Sequence, residues 1–195
     1  MPRPAILILA AGAATRMRGA DKLLETVDGH PLIVRQAQIA LATGCPVYVT
    51  LPPDRPARAL ALMGLNVRHV PVPDAATGMA ASLRAGAAAA GSNPILVLLA
   101  DLPEITTADL TLLLTRHAST PNRLLRATAQ DGTPGHPVLF PVWVLADLAT
   151  LTGNTGARDI LARYRDRTDH VALPARHAVT DLDTPEDWAA WRARR

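Results

Sequence analysis

The stretch AILILAAGAATRMRGADKLL, residues 5–24, decides how the fold is read. It opens with an uninterrupted apolar run, the pattern of a strand buried on both faces. The run ends in small residues, Ala10 to Ala14 with Gly12 among them, and then turns cationic at Arg16, Arg18 and Lys22. Small residues after a buried strand let the main chain approach a ligand closely and offer its N–H groups to an anion. Leu9, Ala10, Ala11, Gly12 and Ala13 are therefore expected to form a phosphate-binding loop, with Arg16 and Lys22 adding positive charge. The plainer alternative is a strand–turn–helix with exposed cations. The loop matches neither G-x-x-x-x-G-K-[ST] nor G-x-G-x-x-G. Of the 20 basic residues 19 are arginine, and Lys22 is the one lysine, which hints that a compact ammonium is needed there.

Working outward, apolar strand-like runs recur at 46–51, 66–72, 94–100 and 136–140, separated by helix-like stretches at 31–43, 55–63, 78–90 and 107–118. Pro31 and Gly44 bracket the first helix. ATAQDGTPGHPVLF, ending at residue 140, reads as a strand, a turn on Asp131–Gly132 and a second strand, antiparallel at a sheet edge. A helix over 156–166, a strand over 169–173 and a closing helix over 184–194, with Thr184 as N-cap and Pro185 first, complete the chain. This alternation predicts one α/β domain over 1–195, a three-layer, Rossmann-like, doubly wound and mostly parallel sheet with an antiparallel edge. In such sheets ligands bind beyond the carboxyl ends of the strands, here after residues 10, 51, 72 and 100.

Composition narrows the classes of function. Apolar residues make up 49% and charged residues 19%, which suits a folded domain. No apolar run reaches the ~18 residues of a membrane span, and no signal peptide is read. One cysteine, Cys45, permits no internal disulfide and suits the cytoplasm. The net charge of +3 comes with only 3% aromatic residues and no basic cluster, so neither nucleic acid nor membrane is expected as a partner. No zinc-type ligand spacing and no G-x-S-x-G is present.

Two more segments bring chemistry. In LVLLADLPEI, residues 96–105, Asp101 follows a buried run directly, and a charge there needs a partner such as Mg²⁺ on a nucleotide phosphate. Capping of the next helix falls more naturally to Thr106 or Thr107. TGMAASLRAG, residues 77–86, begins a helix with small residues, so Gly78 and Ser82 are expected near a phosphate or base.

LAAGAATRM followed by DKLL resembles the signature L-A-A-G-x-[ST]-x-R-M-G-x-x-K of the MobA-like nucleotidyltransferases, whose fold is of the nucleotide-diphospho-sugar transferase type. Ala14 stands where that family often has serine, and Arg18 sets Lys22 one residue later than usual. LADLP resembles the family's metal-binding D-x-P segment. AVTDLDTPEDWAAW, residues 178–191, resembles the closing D-I-D-T-P-E-D segment of the molybdenum cofactor cytidylyltransferase branch. The resemblance implies Mg²⁺ on Asp101 and Asp183, with Asp181 the alternative to Asp183, and Asp183 as helix cap the structural alternative. GTPGHPVLFP (132–141) and GNTGARDIL (153–161) resemble segments that surround the acceptor in that branch, which makes His136 and Arg158 candidates for meeting an anionic substrate.

The implied reaction is Mg²⁺-dependent transfer of a nucleoside monophosphate from an NTP, CTP favoured over GTP, to a phosphorylated acceptor, molybdopterin foremost. Arg16, Lys22 and Asp101 would be the catalytic residues, and a molybdoenzyme receiving the cofactor a possible partner. The alternatives are a sugar phosphate or methylerythritol phosphate as acceptor, or a cofactor-binding chaperone without turnover.

Overall fold

The computed structural model describes residues 3–153 and 156–195. In chain order its strands are β1 (Ala5–Leu9), β2 (Thr26–Val27), β3 (His30–Pro31), β4 (Val47–Leu51), β5 (Arg68–Pro71), β6 (Ile95–Leu99), β7 (Leu124–Thr128), β8 (Pro134–Phe140) and β9 (Thr168–Ala172). The helices are α1 (Leu32–Leu41), α2 (Pro56–Ala61), α3 (Met79–Ala90), α4 (Thr107–Ser119), α5 (Leu145–Ala149), α6 (Arg158–Arg163) and α7 (Pro185–Arg192).

The main sheet has seven strands in the order β5-β4-β1-β6-β8-β7-β9. β1 lies between β4 and β6, parallel to both, and β5 continues that parallel half. β8 runs antiparallel to β6 and to β7, while β9 is parallel to β7 and closes the far side. The fold is thus the doubly wound, mostly parallel sheet with antiparallel strands toward one edge that the alternation of elements implies.

Alternation along β1 sorts the two cores. Ile6 and Ile8 point into one with α1, α4 and α7, and Ala5 and Leu7 into the other with α3, α5 and α6. Trp188 and Trp191 of α7, 2% and 3% exposed, anchor the first core with their rings edge to face at 6.0 Å. On the opposite face α3 packs so closely on β1 that a Cβ on Gly86 would lie 2.3 Å from Leu7 Cδ2. That approach brings the start of α3 beside the loop that follows β1.

Several boundaries differ from the sequence reading. Pro31 lies in β3 and serves as N-cap of α1, rather than as its first residue. The hairpin β2–β3 was not anticipated; Asp28 and Gly29 turn it with φ of 51° and 82°, the doubly left-handed turn that suits strand twist. The helix expected over 156–166 divides into α6 and a 3₁₀ turn at Arg165–Arg167, and α5 was missed altogether. Asn154 and Thr155 of the GNTGARDIL motif lie outside the described residues.

One contact ties the antiparallel half to the segment after β9. His136 N donates to Ala178 O at 2.9 Å, and a Cβ on Gly135 would lie 1.9 Å from that same oxygen. Because the obstacle is main chain, Gly135→Ala must displace residues 135 or 178. A loss of roughly 1–3 kcal/mol is expected, seen as a lower urea midpoint. An unchanged midpoint would contradict this packing.

Candidate active site

Beyond the carboxyl ends of β1 and β6 lies a cavity of about 530 Å³. Its wall holds Leu9 to Arg16, Lys22, Gly78, Ser82, Asp101, Asp181 and Asp183. Every nucleotide-side and metal-side residue expected from the sequence is in that wall. His136 and Arg158 are not.

The loop after β1 is held from behind. Ala10 N donates to Thr50 Oγ1 at 3.2 Å, and Thr50 Oγ1 donates to Ile8 O at 3.3 Å, which pins the end of β1 to β4. Arg58 Nη1 donates to Ala10 O at 2.7 Å and to Gly12 O at 2.8 Å; Arg55 Nη2 donates to Ala13 O at 2.7 Å. In a trans peptide the C=O and the following N–H point in opposite directions. The N–H groups of Ala11, Ala13 and Ala14 therefore turn away from the arginines, toward the cavity that residues 10–14 line. They meet no acceptor among the described residues. The loop is a set of unpaired donors, the kind of concavity that binds anions.

The chain then makes left-handed turns. Ala14 has φ 52°, Arg18 φ 51° and Gly19 φ 97°, with a short 3₁₀ turn, Thr15–Met17, between the first two. Each non-glycine residue there costs roughly 1–2 kcal/mol. Arg18, the residue extra to the family spacing, is taken up in this bend, and Lys22 still reaches the site. Asp21 opens a second 3₁₀ turn, Lys22–Leu24, its side chain accepting from Leu23 N at 3.1 Å.

At the cavity's base Lys22 Nζ lies 2.5 Å from Asp101 Oδ2 and 2.6 Å from Asp183 Oδ1. Arg16, mostly exposed, pairs with Asp183 Oδ2 at 2.6 Å. Burial alone lowers the Lys22 pKa, but the charges and hydrogen bonds of Asp101 and Asp183 outweigh it and hold the ammonium above the ordinary lysine value. Asp101 Oδ1 is buried and has no hydrogen-bond partner among the described residues. Asp181 is shifted upward, first by burial and further by the charges of Asp183 and Asp101. Two hard oxygen donors facing one another, one with an orphaned buried oxygen, fit a divalent cation that takes its remaining ligands from phosphate and water.

Capping places these carboxylates. Thr184 caps α7 in a box with Asp187, and Asp187 Oδ2 also accepts from Asp183 N at 3.2 Å, so the Asp183 side chain is free for the cavity. Thr106 and Asp109 do the same for α4, leaving Asp101 uncommitted to a helix.

Further along the sheet, Leu124 of β7 and Val138 and Phe140 of β8 pack on the α3 side, so Arg126 and His136 face that way too. Burial, then the charge of Arg158, lowers the Arg126 pKa. Burial, then the charge of Arg126, pushes the His136 pKa down to about 4. Arg126 and Arg158, with the uncharged His136 among them, thus form a cationic flank beside the cavity, and no carboxylate pairs with either arginine among the described residues. Sequence reading missed Arg126, Asp21, Arg55 and Arg58. Nothing local marks the arginines, each of which works on a partner distant in the chain, and Asp21, which caps its own short turn, shows its pairing with Arg58 only in the fold.

A sheet that sets bare N–H groups beside a caged ammonium is built for a polyphosphate, and the class of protein this fold and site define is a nucleotidyltransferase. The chain belongs to the MobA-like NTP transferase domain family, whose model matches residues 6–169. It is 32% identical over 188 residues to a molybdenum cofactor guanylyltransferase of Cereibacter sphaeroides, covering 94% of this chain and 92% of that one. It is 30% identical over 189 residues to a nicotine blue oxidoreductase of Paenarthrobacter nicotinovorans, with 92% of each chain covered. Among solved structures, Rv0371c of Mycobacterium tuberculosis H37Rv superposes with a TM-score of 0.82 at 25% identity, covering 97% and 96% of the two chains.

The buried imidazole gives a direct check. Because the folded pKa of His136 is lowered from 6.5 to about 4, the unfolded chain binds a proton that the folded chain refuses between those values. Stability should therefore fall as pH drops through that window, and His117, lowered by burial, adds in the same direction. An NMR titration of the His136 ring should show a midpoint near 4. A midpoint at the ordinary histidine value would contradict the burial described.

Proposed function

We propose that this protein transfers a nucleoside monophosphate from an NTP to a phosphorylated acceptor of the molybdopterin class, with Mg²⁺ and release of pyrophosphate. The observation that carries the reading is Lys22 Nζ held by Asp101 and Asp183 at the mouth of a loop of unpaired N–H groups.

When bound on Asp101 and Asp183, Mg²⁺ supplies a Lewis acid for the triphosphate. The chain's own residues do the rest. The N–H groups of Ala11, Ala13 and Ala14 orient the phosphates and spread their charge. With Asp101 and Asp183 as the residues that would hold the metal, Lys22 would direct its ammonium toward phosphate, and Arg16 its guanidinium at the exposed rim. Both stabilise charge that grows on the departing pyrophosphate. Gly78, with φ 116° and ψ −178°, lies in a region essentially reserved for glycine and lets the chain enter α3 close to the ligand. Ser82 lies one turn further along the same wall. The acceptor's phosphate, largely dianionic at neutral pH with a second pKa near ~6, attacks without needing a base. Arg126, Arg158 and the neutral His136 favour an anionic acceptor approaching along their flank. The buried, unpaired Cys45 is consistent with work in the cytoplasm.

The base divides the supports. The resemblance of residues 77–86 favours CTP, whereas relatives at 28% and 32% identity are named molybdenum cofactor guanylyltransferases, which favours GTP. Competition of GTP with CTP for turnover decides between them.

The test of the reaction is pyrophosphate release from Mg²⁺ and NTP in the presence of molybdopterin. Lys22→Ala and Asp101→Ala should each fall below about a tenth of wild-type kcat/KM, a loss above roughly 1.4 kcal/mol of transition-state stabilisation. Either variant retaining more, while folded, would remove its residue from the reaction.

A further inference from the structure

A fully buried arginine stands directly behind the phosphate loop, holding that part of the cavity wall from outside without lining the cavity itself. Arg58, on α2, is 0% exposed. Its Nε donates to Asp21 Oδ2 at 2.7 Å and its Nη2 to Asp21 Oδ1 at 2.9 Å, the two-pronged geometry of the strongest arginine–carboxylate pairs. Its Nη1 donates to the carbonyls of Ala10 and Gly12 at 2.7 and 2.8 Å. Four of the five N–H groups of the guanidinium are thereby used, each on a different acceptor atom.

A buried ion pair of this kind adds little net stability, since apolar residues of similar volume can replace one at no loss. What it provides is geometry. Asp21 accepts from Leu23 N and so fixes the 3₁₀ turn that aims Lys22, while Arg58 fixes the two carbonyls that turn the next N–H groups toward the cavity. The pair thus joins the two halves of the anion site, main-chain donors on one side and the lysine on the other. Being neutralised by Asp21 and shut off from solvent, Arg58 lends its charge to no ligand.

Resting on the nucleotidyl-transfer reading above, we propose that Arg58 and Asp21 are positioning residues for the nucleotide's phosphates, acting through the main chain of Ala10–Gly12 and through the turn of Lys22. Substrate touches neither of them. Lysine cannot replace Arg58, because an ammonium lacks the planar fork that reaches a carboxylate and two carbonyls together.

The experiment is calorimetric binding of inorganic pyrophosphate, with Mg²⁺, to wild type, Arg58→Met, Arg58→Lys, Asp21→Asn and the Arg58→Met/Asp21→Asn double variant. Circular dichroism and thermal melting on each establish folding. Wild type is expected to bind pyrophosphate, and each single variant to bind at least tenfold more weakly, about 1.4 kcal/mol. The double variant is expected to be no weaker than the worse single one, because the two residues act as one unit. In turnover the KM for NTP should rise, and the ¹⁵N relaxation of the Gly12 amide should report a loosened loop, changes that a merely stabilising pair would not produce. Should Arg58→Met not fold, Asp21→Asn keeps the shape of the pair and carries the same expectation. A folded variant binding pyrophosphate within twofold of wild type overturns the inference alone. A wild-type protein that binds no pyrophosphate overturns the nucleotidyl-transfer reading, and the inference with it.

Discussion

Two carboxylates facing each other across a partly buried cavity repel unless a cation lies between them, and the rest of the site is arranged around that constraint. In this protein the cation is the chain's sole lysine, whose ammonium is 2.5 Å from Asp101 and 2.6 Å from Asp183. Asp101 follows β6 in the middle of the sheet, and Asp183 arrives on the segment leading into α7. The central strand order brings Asp101 and the loop after β1 to one edge, since β1 and β6 pair in register through Leu9 and Leu99. The two tryptophans of α7 fix the third approach by anchoring that helix in the core. A cluster assembled from three distant parts of the chain depends on the packing of all three.

Around this centre the polar groups divide by role. Arg58 of α2 and Arg55 just before that helix take the loop's carbonyls, which leaves its N–H groups to face outward. Capping boxes at Thr106 and Thr184 satisfy the helix starts, which leaves Asp101 and Asp183 without structural duties. Main-chain donors that a fold usually consumes internally are here left open, beside carboxylates that are held by Lys22 and Arg16. Unsatisfied groups near a cavity carry a free-energy cost, and the orphaned Asp101 Oδ1 is the clearest instance. Such a cost persists where a ligand recovers it.

Much of this was legible in the sequence because its signals are local. A buried run ending in small residues marks β1 and its loop; Thr184-Pro185 with Asp187 marks the start of α7; an aspartate ending a buried run marks Asp101. What escaped depends on distance in the chain. Arg58 looks like an ordinary surface arginine of a short helix until Asp21 and two carbonyls are brought to it, 37, 48 and 46 residues away. Arg126 sits in a strand and shows its neighbours only once the register of β7 on β8 is known. The hairpin at Asp28–Gly29 was overlooked for a different reason: its strands are two residues each, too short for alternation to register.

The most direct measurement is calorimetric titration of the wild-type protein with GTP, CTP, ATP and UTP, each with and without Mg²⁺. On the proposed reading the two carboxylates that Lys22 bridges are the ones that would hold the divalent cation, so a nucleotide should bind well only together with that cation. The expected result is tight binding of GTP or CTP that depends on Mg²⁺ and disappears in Asp183→Ala. Binding of no nucleotide, or equal binding with and without Mg²⁺, would contradict a site organised around those two carboxylates.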